Sequence, residues 1–254
     1  MGRAFSGFSA RDVISWHARI QAEMALFATM EQVTGPNFRL RSFRLRGDRM
    51  TKAQSEALSE HWNRFEIPLQ GVINPGELFP SLDPKEIIFE IGSGMGEATS
   101  QIAANNPDSA YVAIEVHKPG IGALIIRAES LGVRNLKIIN ADIYEVLTKH
   151  INDHSIDAFH IFFPDPWPKR KQHKRRLLRP DFIEILAGKI KHGGRINIAT
   201  DWYPYAEEIQ KNFAANLAFT GGVIDRPDWR PLTKFESKGL SKEHKVTDFQ
   251  YLRN

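Results

Sequence analysis

Four carboxylates stand where an apolar run gives way to a loop: Glu90 in FEIGSGMGE, Glu115 in AIEVHKPG, Asp142 in NAD and Asp165 in FFPDPWP. Acids so placed accept hydrogen bonds from ribose hydroxyls and amino groups and attract a cation, and they repel a phosphate. Between the first two, Gly92, Gly94 and Gly96 let the backbone turn tightly and come close to a ligand. A dinucleotide site needs its third glycine three positions after the second. That position is Glu97, an acid where a pyrophosphate would take the helix N-terminus. The pattern therefore argues against NAD and for a cofactor without pyrophosphate. A positively charged adenosine derivative meets every condition: Glu115 for the ribose hydroxyls, Asp142 for the adenine amino group, Glu90 and Asp165 completing the acidic ring. S-adenosylmethionine is such a cofactor.

The fourth acid sits in an unusual setting. Asp165-Pro166-Trp167-Pro168 follows Pro164, and proline fixes φ and removes a donor, so this is a stiff loop. Seven basic residues then fall between 169 and 179 with no acid among them: Lys169, Arg170, Lys171, Lys174, Arg175, Arg176 and Arg179. The net charge is only +4. Residues 169–179 carry +7 and residues 39–49 carry +4, so the rest of the chain carries −7. Two basic patches on an acidic protein are a footprint for a polyanion. Trp167 can stack on a base or plug the loop against a sheet, and packing is the better reading. His173 has no other histidine at ligand spacing, and His150 and His154, four apart, straddle a helix end and read as surface residues, so no metal site is expected.

Several classes are excluded by composition. There is no cysteine, hence no disulfide and no thiolate metal site. No apolar run approaches the roughly 18 residues of a membrane span. Arg11, Asp12, Arg19 and Glu23 interrupt any signal-peptide core, and a cytoplasmic protein is expected.

The acids need elements to carry them. From residue 85, apolar runs at 87–91, 111–115, 136–140, 156–163 and 194–200 read as buried strands. Helical stretches at 97–105, 120–131, a short one from after residue 140 to about 150, 180–190 and 203–216 lie between or after them, and 219–224 and 248–252 can add two strands. This alternation predicts an α/β, doubly wound, mostly parallel sheet, with ligands beyond the carboxyl ends of its strands. Upstream, Thr51-Lys52-Ala53-Gln54 is a capping box for a helix to about residue 64. Val13, Trp16, Ile20, Met24, Phe27 and Met30 form one helical stripe. Residues 38–46 read as a short strand or an extended basic arm. Residues 1–50 are thus expected to be a helical extension with a basic arm, and residues 51–254 the main domain.

Taken in order, FEIGSGMGE, AIEVHKPG, NAD, FFPDPWPKRKQHKRR, ATDW and TKFESKG resemble the motifs of the bacterial tRNA (guanine-N7)-methyltransferases. The resemblance runs from about residue 41 to the C-terminus. The loop F-P-D-P-W-P-K followed by K-x-H-K-x-R is not a general methyltransferase feature. The resemblance implies a seven-stranded methyltransferase (Rossmann-like) sheet with a final antiparallel strand. It implies that Glu90, Gly92, Gly94, Glu115, Asp142 and Asp165 line an S-adenosylmethionine site. It places Lys169, Asp201, Thr233 and Glu236 at the acceptor, and tRNA on Lys171, Lys174, Arg175 and Arg176. The acceptor would be a variable-loop guanine, and the enzyme a monomer or a homodimer without membrane or metal.

That acceptor agrees with the side chains. Guanine N7 is an unprotonated acceptor on the major-groove edge, so no general base is required. Asp165 is the expected catalytic residue, stabilising charge as it moves from sulfonium to ring. Asp201 and Glu236 suit the N1–H and N2–H₂ donors of guanine, and Lys169 suits O6 or a phosphate. Two other readings fit parts of the pattern. An exocyclic-amine methyltransferase would show two prolines before the aromatic, where this chain has one before Trp167. A non-catalytic RNA-binding relative would not be expected to keep all four acids.

Overall fold

The computed structural model describes residues 40–44, 47, 49–241 and 245–254. The helix expected at 10–33 lies outside them. Of the strand or arm expected at 38–46, residues 40–44 are described and form no strand. The chain divides into two units, Met1–Arg41 and Ser42–Asn254. The second carries the sheet and the helices packed on it.

Helix α1, Lys52–Phe65, starts at the expected capping box. The Gln54 amide donates to Thr51 Oγ1 (3.2 Å) and the Thr51 amide to Gln54 Oε1 (2.8 Å). The elements then alternate: β1 (Glu86–Ile91), α2 (Glu97–Asn105), β2 (Ser109–Ile114), α3 (Lys118–Ser130) and β3 (Leu136–Ile139). The one-turn α4 (Ile143–Glu145) runs into a π turn at Val146–His150. Next come β4 (Ile156–Phe162), a 3₁₀ helix (Arg170–Arg175), α5 (Pro180–Lys189), β5 (Ile190–Thr200) and α6 (Tyr203–Ala214). The chain closes with β6 (Phe219–Ile224), α7 (Lys234–Leu240) and β7 (Thr247–Arg253).

The seven strands form one sheet in the order β3-β2-β1-β4-β5-β7-β6. β1 to β5 are parallel to one another, while β7 runs antiparallel between β5 and β6. The central strands are apolar almost throughout, as a sheet covered on both faces requires. Side chains alternate between the faces. Ile87, Phe89 and Ile91 join the cluster under α5 and α6, and Ile88 joins the one under α1 to α3. Phe89 and Phe159 are fully buried and meet edge to face at 6.3 Å. Each such ring contributes about 1.5–3 kcal/mol through burial.

Strand order reverses between β1 and β4. In an open α/β sheet the ligand crevice lies outside the carboxyl ends at that switch point. Here those ends are the Gly92–Gly96 turn and the proline loop carrying Asp165.

Candidate active site

The first wall of the crevice is the turn after β1. Gly94 has φ +57° and Gly96 φ +71°, conformations that other residues adopt at a cost. At Gly96 a Cβ would come within 2.5 Å of Leu124 on α3, so only glycine allows that packing. Glu115, at the end of β2, holds the turn. Its Oε2 accepts from the Gly94 amide (2.8 Å), and its Oε1 from the amides of Val116 (2.8 Å) and His117 (2.9 Å). A carboxylate has about four acceptor positions. Three serve the backbone, so Glu115 shapes the turn and keeps about one acceptor position more.

Glu90 is buried on the same wall. Thr99 Oγ1 donates to its Oε1 (2.9 Å), while Oε2 has no hydrogen-bond partner. Burial pushes its pKa up to about 7, against the Thr99 hydrogen bond, and the Glu115 charge adds to the rise. Ser93 Oγ is likewise buried and unpartnered. Buried polar atoms normally find a partner, so these two mark where a ligand with donors and positive charge fits. Asp142 caps α4, accepting from the Tyr144 amide (2.9 Å), and Asn140 Nδ2 donates to the Glu115 carbonyl (2.8 Å).

The second wall is the proline loop. Its stiffness is greater than the prolines alone supply, since Phe163 (φ +52°) and Trp167 (φ +45°) both hold left-handed conformations. Such backbone costs of order 1–3 kcal/mol per residue and persists only where surroundings impose it. The surroundings are visible. Trp167 is buried, its Nε1 donates to the Ser42 carbonyl (3.0 Å), and the guanidinium groups of Arg44 and Arg175 lie 5.1 and 5.2 Å from its ring centroid. Arg44 also donates its amide to Asp165 Oδ2 (3.1 Å). His117 Nε2 lies 3.3 Å from the Gly47 carbonyl. Ser42 and Arg44 thus touch the proline loop, and Gly47 meets His117 at the start of α3. Nothing in the sequence around them beyond its charge signals this.

The third wall is the segment after β6. Thr233 caps α7, accepting the Glu236 amide (3.2 Å), and Glu97 Oε2 accepts the Lys234 amide (2.9 Å), tying the segment to the start of α2. The Phe235 ring meets Phe163 at 5.3 Å. Arg230 is buried and donates to both Asp248 (2.8 and 2.9 Å) and Glu236 (2.8 and 3.0 Å), while Arg226 also donates to Glu236 (2.7 Å). The Glu236 carboxylate is therefore inside an arginine pair. Asp201 follows β5, half-buried. Neither Arg226 nor Arg230 stands out in sequence. A run RPDWRP before TKFE is the one signal that could have found them.

The basic run divides. Lys169, Arg170, Lys171 and Lys174 are exposed on the 3₁₀ helix and its cap. Lys171 and Lys174 lie three apart, and a 3₁₀ helix eclipses such residues on one face. Arg179 pairs with Asp181. Arg176 corrects the expectation that it contacts RNA: its side chain is 1% exposed. Its Nε donates to the Pro166 carbonyl (2.8 Å), it pairs with Glu208 of α6, and it lies over Tyr205 at 4.9 Å. It anchors the proline loop from beneath, because burying a guanidinium demands a carboxylate and acceptors that only the interior supplies.

Among the described residues no three His, Asp or Glu side chains are grouped to hold a metal, and no helix is long and apolar enough to cross a membrane.

A doubly wound sheet with unpartnered buried acceptors at its switch point is built to take a ligand there, and the relatives give the class, a methyltransferase that uses S-adenosylmethionine. The family model described as "Putative methyltransferase" matches residues 84–249. The chain is 42% identical over 221 residues to the tRNA (guanine-N(7)-)-methyltransferase of Saccharophagus degradans, covering 85% of this chain and 96% of that one. It is 40% identical to the Streptomyces avermitilis enzyme of the same name, covering 85% and 76%. The fold is shared with the solved 16S rRNA methyltransferase KamB at TM-score 0.50 and 15% identity, covering 85% and 99%. The chain belongs to the tRNA (guanine-N7)-methyltransferase family.

Proposed function

We propose that this enzyme methylates N7 of a guanine in tRNA, and that the guanine is in the variable loop. The observation that carries the reaction is the meeting of three walls: the Glu90–Glu115 turn, the Asp165 loop and the Thr233–Glu236 segment, joined by the Glu97–Lys234 and Phe163–Phe235 contacts. The name shared by the relatives supports the acceptor.

When bound, S-adenosylmethionine supplies a methyl group on a cationic sulfonium. Glu90, Gly92, Gly94, Glu115 and Asp142 hold it, and Asp165 faces it from the proline loop. Asp165 needs no proton transfer. It is fixed by proline backbone, by the Arg44 amide and by Arg176 beneath Pro166, so its charge is in place before reaction. Asp201 and Thr233 approach the guanine edge. Glu236, committed to Arg226 and Arg230, orients the segment that carries Thr233. Lys169, Arg170, Lys171 and Lys174 meet phosphates, which fix register without reading sequence.

Incubation of the purified protein with labelled S-adenosylmethionine and tRNA transcripts tests this. Nucleoside analysis should yield 7-methylguanosine, and cleavage at the modified base should map it to the variable loop. Methylation on an exocyclic amine would overturn the N7 assignment, and a product elsewhere in the tRNA would overturn the position.

A further inference from the structure

The segment after β6 and the first turn of α7 leave large apolar side chains in solvent: Trp229 is 39% exposed, Leu232 52% and Phe235 60%. Such a cluster at the rim of a site marks a surface that a partner covers. Trp229 is already engaged, stacked on His160 at 5.0 Å with planes 21° apart. Trp167, the other aromatic near the reacting groups, is buried between two guanidinium groups. Phe235, 60% exposed, keeps an open face beside the proline loop.

Its position is rigid. Thr233 caps the helix at one side, Glu236 is held by Arg226 and Arg230 at the other, and Glu97 accepts the intervening amide. Behind it stands Phe163, 5.3 Å away with planes at 61°, in a left-handed backbone conformation. Arg230 lies 5.7 Å over the Phe163 ring. Phe163 is two residues from Asp165, and Phe235 two residues from Thr233.

An enzyme that works on a base takes it from a single strand or extrudes it from the stack, and an extruded base loses the stacking of its neighbours. Carboxylates and a lysine can address its edges only, so a face needs an aromatic. We infer that Phe235, braced by Phe163, is the stacking surface for the extruded acceptor guanine. This rests on the methyltransferase reading of the site. It adds a subsite for a purine face, distinct from the polar groups that read its edge.

The test compares Phe235→Leu, Phe235→Tyr and Phe235→Trp with wild type, measuring kcat/KM for tRNA, cofactor affinity and thermal unfolding. Leu keeps apolar volume and lacks a π face. It should lose roughly 10–100-fold in kcat/KM, the scale of one base–aromatic stack. Tyr and Trp should restore most of that. Cofactor affinity and unfolding should hold in all three, because the ring is exposed. Leu equal to wild type, or Tyr and Trp as impaired as Leu, would overturn the stacking role while leaving the activity standing. A wild-type protein that makes no 7-methylguanosine would overturn the reading of the site and this inference with it.

Discussion

Within one basic run, two kinds of cation should separate cleanly by experiment. Arg176 is 1% exposed and Glu208 27%. Arg176→Met removes the ion pair and the hydrogen bond to Pro166 while keeping apolar volume over Tyr205. Removing one partner of a fully buried pair costs about 3–5 kcal/mol, chiefly from the charge left behind. Glu208 keeps some water, which reduces that term, and the Pro166 carbonyl adds about 1 kcal/mol. The expected loss is therefore roughly 2–4 kcal/mol. At about 2–4 °C per kcal/mol for a domain of this size, Tm should fall by roughly 5–15 °C. Adding Glu208→Gln should recover part of it, because the stranded charge is gone. The pair Lys171→Ala/Lys174→Ala should leave Tm unchanged. It should flatten the dependence of log K for tRNA on log salt by about 1.5–2 units, one contact each. Unfolding by calorimetry and tRNA binding from 50 to 300 mM salt give both readings. An Arg176→Met protein with native Tm and a flattened salt slope would refute the division and return Arg176 to the RNA surface.

Three further outcomes follow from the crevice. Asp165→Asn keeps shape and removes charge, and should lower kcat roughly 10²–10³-fold with tRNA affinity nearly intact; near-normal turnover at saturating cofactor would reduce Asp165 to a loop cap. Burial raises the Glu90 carboxyl from its usual 4.5 to about 7, so the folded state retains a proton that the unfolded chain releases. Its contribution to stability is full below pH 4.5 and is lost as pH rises through 7. Glu90→Gln should then gain Tm over wild type progressively from pH 5 to 8 while binding the cofactor more weakly, and melting curves that track wild type at every pH would contradict this. Glu115→Ala removes acceptors for three backbone amides besides any ribose contact. It should weaken S-adenosylmethionine by at least the roughly 1–3 kcal/mol of a lost buried hydrogen-bond partner and also increase hydrogen exchange at Gly94; wild-type affinity by titration calorimetry would remove Glu115 from the site.

The strands and the acids at their ends were legible in sequence because both are local. Apolar runs bounded by glycine or proline name the strands, and position at a strand end tells which acids can meet a ligand. The capping box at Thr51 and Gln54 was legible for the same reason, as its two hydrogen bonds lie within one turn. What sequence could not supply was the sorting of like residues into unlike surroundings. Arg175 and Arg176 are neighbours of one type, yet one lies over Trp167 and the other is buried against Glu208, 32 positions away. Glu236 reads as a free acid because Arg226 and Arg230 carry no motif, and it becomes interior only when β7 brings Asp248 alongside. Ser42 and Arg44 lie in a stretch that reads as charge and serve as backbone: the Ser42 carbonyl and the Arg44 amide, groups that any residue there would carry, hold Trp167 and Asp165. The proline loop is thus prearranged by the Ser42 carbonyl, the Arg44 amide and the Arg176 guanidinium, groups set on different sides of it. The displacement proposed above, which needs no general base, asks for such positioning and fixed charge.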